Sequence, residues 1–519
     1  MSSKGSFFRP PITKLIVETS LESADYDGVL LVSSPGQEIK ATKLAGVLRD
    51  ALLLDPTLES EIAILPVPGL AAKRLVHSPT GKIDPDYDDV RVLKNAALKG
   101  MKRALKAGIS KPLLVLEETT RFENGDLVTL LGALEAVYVP IQVREHDPTK
   151  PPIKHLGVFS TNPDKTKGLV HLATILESGR RVACDIGGAD PERMSPPNVE
   201  KYILDVFSGS NIKVQVVKDP EQFTREYPLF EAVNRAASGV TRHQGRIVFL
   251  EYSPPDPAQV KETVYLVGKG VTYDTGGIDV KINGAMVGMS RDKCGAAAVV
   301  GFLQVVRLLQ PKNVKVVAGV SLVRNSIGSN GYVADEVITA RSGARVRVGN
   351  TDAEGRMVMA DVLCKMKELA VDAVNPHLFT VATLTGHAFL TVGEGYSIVM
   401  DNGPALKSGN SIRLQTAGDL IGDIFEISRI RSEDFAQHRG EAFGDDIKQA
   451  NNQPSSRTPR GHQGPAAFLI LAAGLETHGS GSGKPLKYSH LDIAASAGEF
   501  PKPATGAPVL ALAKAFLLN

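Results

Sequence analysis

Strand-length runs that stay apolar from end to end most constrain what this chain can fold into. NIKVQVV (211–217), RIVFLEY (246–252), ETVYLVGKGV (262–271), NVKVVAGVSLV (313–323) and LFTVATL (378–384) follow one another, and several are continuous rather than alternating in hydrophobicity. A strand with one wet face alternates. A continuous one is covered on both faces, as in a sheet sandwiched between helices. Helical patterns stand between these runs. AAAVVGFLQVVRLLQ (296–310) ends before Pro311 and reads as a buried helix, while Met359, Val362, Leu363, Met366 and Leu369 fall at the 3.6-residue spacing of an amphipathic one. Tryptophan is absent and aromatics make up only 5% of the chain, so the cores are built from Val, Leu, Ile, Ala and Met. With 43% apolar and 22% charged residues, disorder and collagen-like repeats are excluded.

The first third repeats the pattern on a smaller scale. LIVET (15–19), GVLLVSS (28–34), IAILPV (62–67), KPLLVLE (111–117) and AVYVPIQV (136–143) read as strands, with helices over 39–53 and 94–107. The polar, Pro-rich HDPTKPPIK (146–154) reads as a candidate boundary and residues 166–182 as a helix. GGADPERMSPPN (187–198) is too rich in Gly and Pro for regular structure, and THGSGSGKP (477–485) reads as a short flexible loop. The expected fold class is therefore α/β with two domains. A smaller N-terminal α/β domain (1–165) and a linker helix (166–184) precede a larger domain (185–519) with a mixed sheet flanked by helices. A chain of 519 residues has ample length for both.

Charge and cysteine content narrow the function. Lys and Arg number 59 and Asp and Glu 57, a net charge of +2, so no polyanion-binding surface is indicated and no nucleic-acid partner is expected. Cys184, Cys294 and Cys364 lie 110 and 70 positions apart, a sparse, odd set that reads as reduced thiols in an intracellular protein. The opening MSSKGSFFRPPITK lacks an apolar signal region and no stretch reaches the apolar length of a membrane span. A cytoplasmic location is expected, with a transit peptide the alternative for this basic, Ser-containing start.

The glycine-rich loops fail as nucleotide sites. In GSGSGK (479–484) the first P-loop glycine would fall on His478, and Pro485 stands where Ser or Thr would hold Mg²⁺. After Gly268 and Gly270 the third glycine of a dinucleotide fingerprint would fall on Tyr273. Neither HExxH nor GxSxG occurs. Charge beside apolar strands remains: Lys269 and Asp274 in VGKGVTYDTGG (267–277), then Lys281, then Asp292 in MSRDKCGAAAV (289–299), and VRVGNTDAEGR (346–356). Asp352 and Glu354 are two apart, so in an extended loop their carboxylates project to one side. Taken singly, these residues have ordinary structural roles: Thr351-Asp352 as a helix cap, Lys269 paired with Asp274. Together, four acids, two lysines and an arginine at strand ends stay ionised in a crevice only when paired or bound to metal. Oxygen ligands without His or Cys suit Mn²⁺, Mg²⁺ or Zn²⁺ in a two-metal site.

NTDAEGR (350–356), with VGKGVTYDTGG upstream, resembles the leucyl (cytosol) aminopeptidase family of di-metal exopeptidases. The spacing of Lys269, Asp274, Lys281 and Asp292 follows the family's order, and ATLTG (382–386) and HLDIA (490–494) look like family segments. The resemblance covers about 185–519. It implies a metal-dependent aminopeptidase that acts on peptides with a free N-terminus, is cytosolic and assembles as a homohexamer. It also implies two divalent ions, Zn²⁺ or Mn²⁺ with Mg²⁺ as a further candidate, held by Lys269, Asp274, Asp292, Asp352 and Glu354. By the same resemblance Asp274 and Glu354 bridge the ions, Lys281 stabilises the oxyanion, and Arg356 holds a bicarbonate acting as base. Met289, Thr383, Leu384 and Gly386, with Ala494 and Ala497 beside them, would form the substrate pocket.

Departures from the family pattern are Tyr273 and Thr275 for the commoner Phe and Ser, Ile282-Asn283 after Lys281 where Pro is usual, and Tyr488 for Trp. They remove no ligand and resemble the "probable aminopeptidase-like" branch. The rival reading is a catalytically idle relative with a structural or regulatory role, DNA binding included.

Overall fold

The computed structural model describes residues 12–117, 121–147 and 151–518. The start of the chain and the centre of the 146–154 stretch lie outside them. Two compact units divide the chain. One ends at Ser178 and takes in Gly418–Gly422; the other comprises Gly179–Ala417 and the chain from Asp423 on. The helix Pro163–Gly188 spans the division.

The smaller unit holds β1 (Leu15–Glu18), β2 (Gly28–Ser33), β3 (Ala63–Pro66), β4 (Arg74–Pro79), β5 (Pro112–Val115) and β6 (Leu156–Phe159). They form one sheet in the order β1-β6-β5-β2-β4-β3, parallel except for the β3–β4 pair. The helices Thr42–Leu54 and Arg91–Lys106 lie where expected. Residues 136–143 are not a strand. The Leu- and Ala-rich helix Gly125–Ala136 runs into them, and a second helix, Ile141–His146, opens directly after Pro140. A proline lacks the N–H a ladder needs and favours the start of a helix. Two strands have no counterpart in the sequence reading. RLVHSP forms β4 despite its polar residues, and the four-residue β6 pairs with β1 and β5.

In the larger unit the strands are β7 (Ile212–Val217), β8 (Arg246–Tyr252), β9 (Glu262–Asp274), β10 (Val314–Asn325), β11 (Val337–Thr339), β12 (Arg345–Arg347), β13 (Pro376–Ala382), β14 (Ser397–Asp401), β15 (Phe425–Arg429), β16 (Ile447–Lys448) and β17 (Lys487–Asp492). Eight of them make a mixed sheet in the order β15-β14-β17-β13-β9-β10-β8-β7; β11, β12 and β16 make a small one. At the centre β17, β13, β9 and β10 are parallel. Every residue of β9 from Thr263 to Val271 is buried, as its continuous apolar run requires. Removing a side chain of this kind from water contributes about 1.5–3 kcal/mol.

The helices Cys294–Leu309 and Glu354–Ala370 pack against this sheet. Gly295 permits the first to approach closely, since a Cβ there would lie 2.1 Å from the Val381 carbonyl. The second is less one-sided than its spacing implies. Met357, Val358 and Ala360 are buried along with Met359, Val362, Leu363 and Met366, whereas Leu369 is 47% exposed. Regular structure also extends into 187–198: one helix reaches Gly188, and another starts at Pro196, because proline fits a helix's first turn. Parallel strands end together, so the carboxyl ends of β9, β10, β13 and β17 form one edge. In α/β sheets that edge is where ligands bind.

Candidate metal centre

The charged residues singled out in the sequence meet at this edge. Lys269 lies within β9 and Asp274 ends it. The loop after β9 brings Lys281 back, and a 3₁₀ turn, Met289–Lys293, delivers Asp292 just ahead of the helix Cys294–Leu309. Asp352 and Glu354 come from the opposite segment, but not from an extended loop. Thr351–Ala353 is a 3₁₀ turn running straight into the helix that Glu354 begins. Its cap is Asn350, which accepts from the Asp352 N–H at 2.8 Å, and not the expected Thr351-Asp352 pair.

Carboxylate oxygens of Asp274, Asp352 and Glu354 lie within 4.8 Å of one another. Lys269 Nζ is 2.7 Å from Asp292 Oδ1 and 3.0 Å from Glu354 Oε1, and it donates to the Thr383 carbonyl at 3.0 Å. Its partners are thus Asp292 and Glu354, where the simple structural reading paired it with Asp274. Lys281 Nζ bridges the other two acids, 2.9 Å from Asp274 Oδ2 and 2.5 Å from Asp352 Oδ1. Thr383 Oγ1 donates to Asp292 Oδ1 at 3.0 Å, while Asp292 Oδ2 is buried and meets no hydrogen-bond partner among the described residues.

The electrostatics follow from this crowding. Burial alone would lower both lysines, but the surrounding carboxylates outweigh it and hold their ammonium groups above the ordinary range. Burial, reinforced by the neighbouring acids, pushes Asp292 and Glu354 up and brings Asp352 to about 7. Fully ionised, the four acids would outnumber the two ammonium groups by two negative charges, a surplus the crevice resists by holding on to protons. With an unpartnered carboxylate oxygen at its wall, such a donor set fits divalent cations.

Two cavities share Lys269, Asp352, Glu354 and Leu384. One also contains Asp274, Lys281 and Asp292, and its walls include Met289, Thr383, Leu384 and Gly386 as well as Ala494 and Ala497. Phe389 and Phe500, which the sequence reading did not single out, line it too. Arg356 lines the other, beside His438 and Arg460. Its Nη1 donates to the Gln449 carbonyl at 3.0 Å and its guanidinium stands 6.0 Å from the Phe468 ring; burial brings it down to about 10. Tyr488 lines neither cavity; it is fully buried, with its hydroxyl 2.7 Å from Thr380 Oγ1. Asn283, after Lys281, adopts φ 55°, a left-handed conformation that asparagine tolerates better than most residues.

Residues outside the expected ligand set hold these segments in place. Gln449, fully buried, accepts from the N–H groups of Gly349 and Asn350 and donates to the carbonyls of Asn350 and Ala353. Asp279 accepts from Thr351 N at 2.7 Å, and Thr351 Oγ1 donates to the Gly276 carbonyl, so the Lys281 loop is latched to the Asp352 turn. Asp492, at the end of β17, accepts from Leu384 N and Thr385 Oγ1 and thereby fixes the loop beside Lys269.

Residues 181–513 match the cytosol aminopeptidase family, catalytic domain. The Caenorhabditis elegans protein named "Putative aminopeptidase W07G4.4" is 44% identical over 515 residues, 98% of each chain. A "Probable cytosol aminopeptidase" of Persephonella marina is 27% identical over 450 residues, 84% of this chain and 82% of that one. Among solved structures, "Bottromycin maturation enzyme BotP in complex with Mn" has a TM-score of 0.74 over 94% of this chain and 98% of that one. Its identity is 22%, a likeness of fold.

Proposed function

Since the chain belongs to the cytosol aminopeptidase family, and so to the peptide hydrolases, we propose that it removes N-terminal residues from peptides at a two-metal centre. The observation that carries this reading is the cluster of Asp274, Asp352 and Glu354 facing Lys281, the first and last buried and Asp352 half-buried, with Asp292 and Lys269 beside it. Two divalent cations, Zn²⁺ or Mn²⁺ with Mg²⁺ as a further candidate, held by Lys269, Asp274, Asp292, Asp352 and Glu354, would supply Lewis acidity and an activated water.

The chain's own groups do the rest. Lys281 projects into the cavity between two acids and is the donor for the negative charge that develops on the scissile carbonyl; such a contact is worth roughly 10²–10³ in rate. Lys269 would serve as a ligand only as a neutral amine, which dications at the neighbouring acids favour. Arg356 would hold bicarbonate, the base of the reaction. Met289, Thr383, Leu384 and Gly386 bound the space for the first side chain, and the apolar side chains of Met289 and Leu384 suit leucine-like residues. We place the protein in the cytoplasm as a homohexamer, in keeping with its family. The alternative of an idle relative is not favoured, because every expected ligand position carries a ligating side chain.

Purified protein should contain about two divalent ions per chain. It should hydrolyse leucyl amides, and Asp352→Ala should remove both metal and turnover. Unchanged metal content in that variant, or no turnover on any aminoacyl substrate, would overturn the reading.

A further inference from the structure

Asp274 has two oxygens, and the protein treats them differently. Oδ1 accepts from the Gly276 N–H at 2.9 Å and from Asn325 Nδ2 at 2.8 Å. Oδ2 faces the cavity, where Lys281 lies 2.9 Å away. Asn325 reaches Asp274 because of an irregularity in the sheet. The pairing of β10 with β9 shifts register between Val323 and Asn325, which sets Asn325 directly opposite Asp274. Bulges of this kind re-aim side chains at functional edges.

The orientation of the Asn325 amide is unambiguous. Its Nδ2 faces two acceptors, Asp274 Oδ1 and the Thr351 carbonyl at 3.1 Å, so the amide cannot be reversed without setting oxygen against oxygen. Asn325 is 1% exposed, and its own Oδ1 is buried without a hydrogen-bond partner among the described residues. A buried unpartnered carbonyl has a cost, and a side chain that bears it to keep both N–H bonds is held there for those bonds.

We infer that Asn325 is a positioning residue that reserves Asp274 Oδ1 for the protein and leaves Oδ2 alone to bind metal, so that Asp274 binds as a one-oxygen ligand. The inference rests on the reading of Asp274 as a ligand. Partners behind a ligating carboxylate usually contribute 10–100-fold to metal affinity. Tyr332 provides the internal control. Its hydroxyl donates to the Thr351 carbonyl at 2.8 Å, so it shares the turn contact of Asn325 without the carboxylate contact.

The test titrates Mn²⁺ into the metal-free full chain by calorimetry. Asn325→Leu, close in size, should weaken binding by about 10–100-fold, whereas Tyr332→Phe should stay within about threefold of the parent. Parent-like binding by Asn325→Leu would overturn the inference. So would an equal loss in both variants, since Asn325 would then act through the Thr351 turn. Asp274→Asn separates the two failures: if it binds Mn²⁺ like the parent, the ligand reading itself falls. Should Asn325→Leu not fold, a crystal structure of the Mn²⁺-loaded parent decides. Asp274 bound through Oδ2, with Oδ1 still on Asn325, supports the inference; chelation through both oxygens overturns it.

Discussion

Replacing Gln449 by leucine should disable the site while leaving every charged residue in place. The glutamine amide is fully buried and satisfied on both sides. Oε1 accepts from Gly349 N at 2.9 Å and Asn350 N at 3.0 Å, and Nε2 donates to Asn350 O at 2.8 Å and Ala353 O at 2.9 Å. Leucine fills nearly the same volume, so packing changes little and the loss is polar. Four backbone groups lose their partner, each worth about 1–3 kcal/mol where water cannot replace it. Gly349, Asn350 and Ala353 are half-buried, so water recovers part of this, and the net cost should be about 2–4 kcal/mol, readable from urea unfolding. The larger effect is on catalysis. The same four bonds hold the turn that carries Asp352 and leads into Glu354, and a displacement of about 1 Å in such a segment costs roughly 10²-fold. Assayed on a leucyl amide at saturating Mn²⁺, kcat/KM should fall by about 100-fold. A stability loss with kcat/KM within about threefold of the parent would show that the turn keeps its geometry unaided, and would refute the reasoning.

Other substitutions separate the roles of neighbouring groups. Lys281→Met should lower kcat by roughly 10²–10³ with metal content at least that of the parent, since it removes an oxyanion donor and no ligand; loss of metal on elemental analysis would contradict this. Gly355→Ala would put a Cβ 2.6 Å from Lys269 Cε and 2.8 Å from Leu384 Cδ1. Lys269 is pinned by two acids and cannot swing aside, so Mn²⁺ affinity should drop at least about 10-fold with unchanged far-ultraviolet circular dichroism. In the smaller unit His77, 2.9 Å from Ser33 Oγ, is brought by burial from 6.5 down to about 4. The unfolded chain then binds the extra proton between these values, so stability is lost as pH falls from 6.5 towards 4. His77 alone accounts for about 2 kcal/mol between pH 7 and pH 5. His77→Gln should flatten the urea midpoint over that interval by this amount; an unaltered pH slope would show that another group is responsible.

How much of this was legible in the sequence depended on whether a residue was anomalous where it stood. Long strands and helices declared themselves by continuity or by 3.6-residue spacing, because burial on both faces forbids alternation. β4 did not, since Arg74, His77, Ser78 and Pro79 look like a loop until neutral His77 finds Ser33 across the sheet. In 136–143 β-branched residues suggested a strand, but the preceding Leu- and Ala-rich helix and Pro140 decided otherwise. The charged site was visible because its acids and lysines, each ordinary alone, have no ordinary explanation when gathered beside apolar strands. Its local geometry was not: the convergence of Asp352 and Glu354 relies on a 3₁₀ turn, where an extended loop was expected.

Three of the residues that escaped notice share a chemical property, and it implies a division of labour. Asn325, Gln449 and Tyr332 are neutral; an amide or hydroxyl is unremarkable anywhere in a chain and becomes informative only through its partners. Those partners are set by remote events: a register shift in β10 for Asn325, and the approach of a segment about a hundred residues downstream for Gln449. Neutral groups are also the ones suited to the task. An added charge in a crevice that already holds four carboxylates and two lysines would alter its affinity for cations, whereas an amide fixes direction and leaves the charge balance unchanged. Charged positions should therefore control whether metal binds, and neutral ones which oxygen it meets and where the turn stands. Removing an acid should empty the site, while removing an amide should leave it occupied at high metal concentration but misaligned.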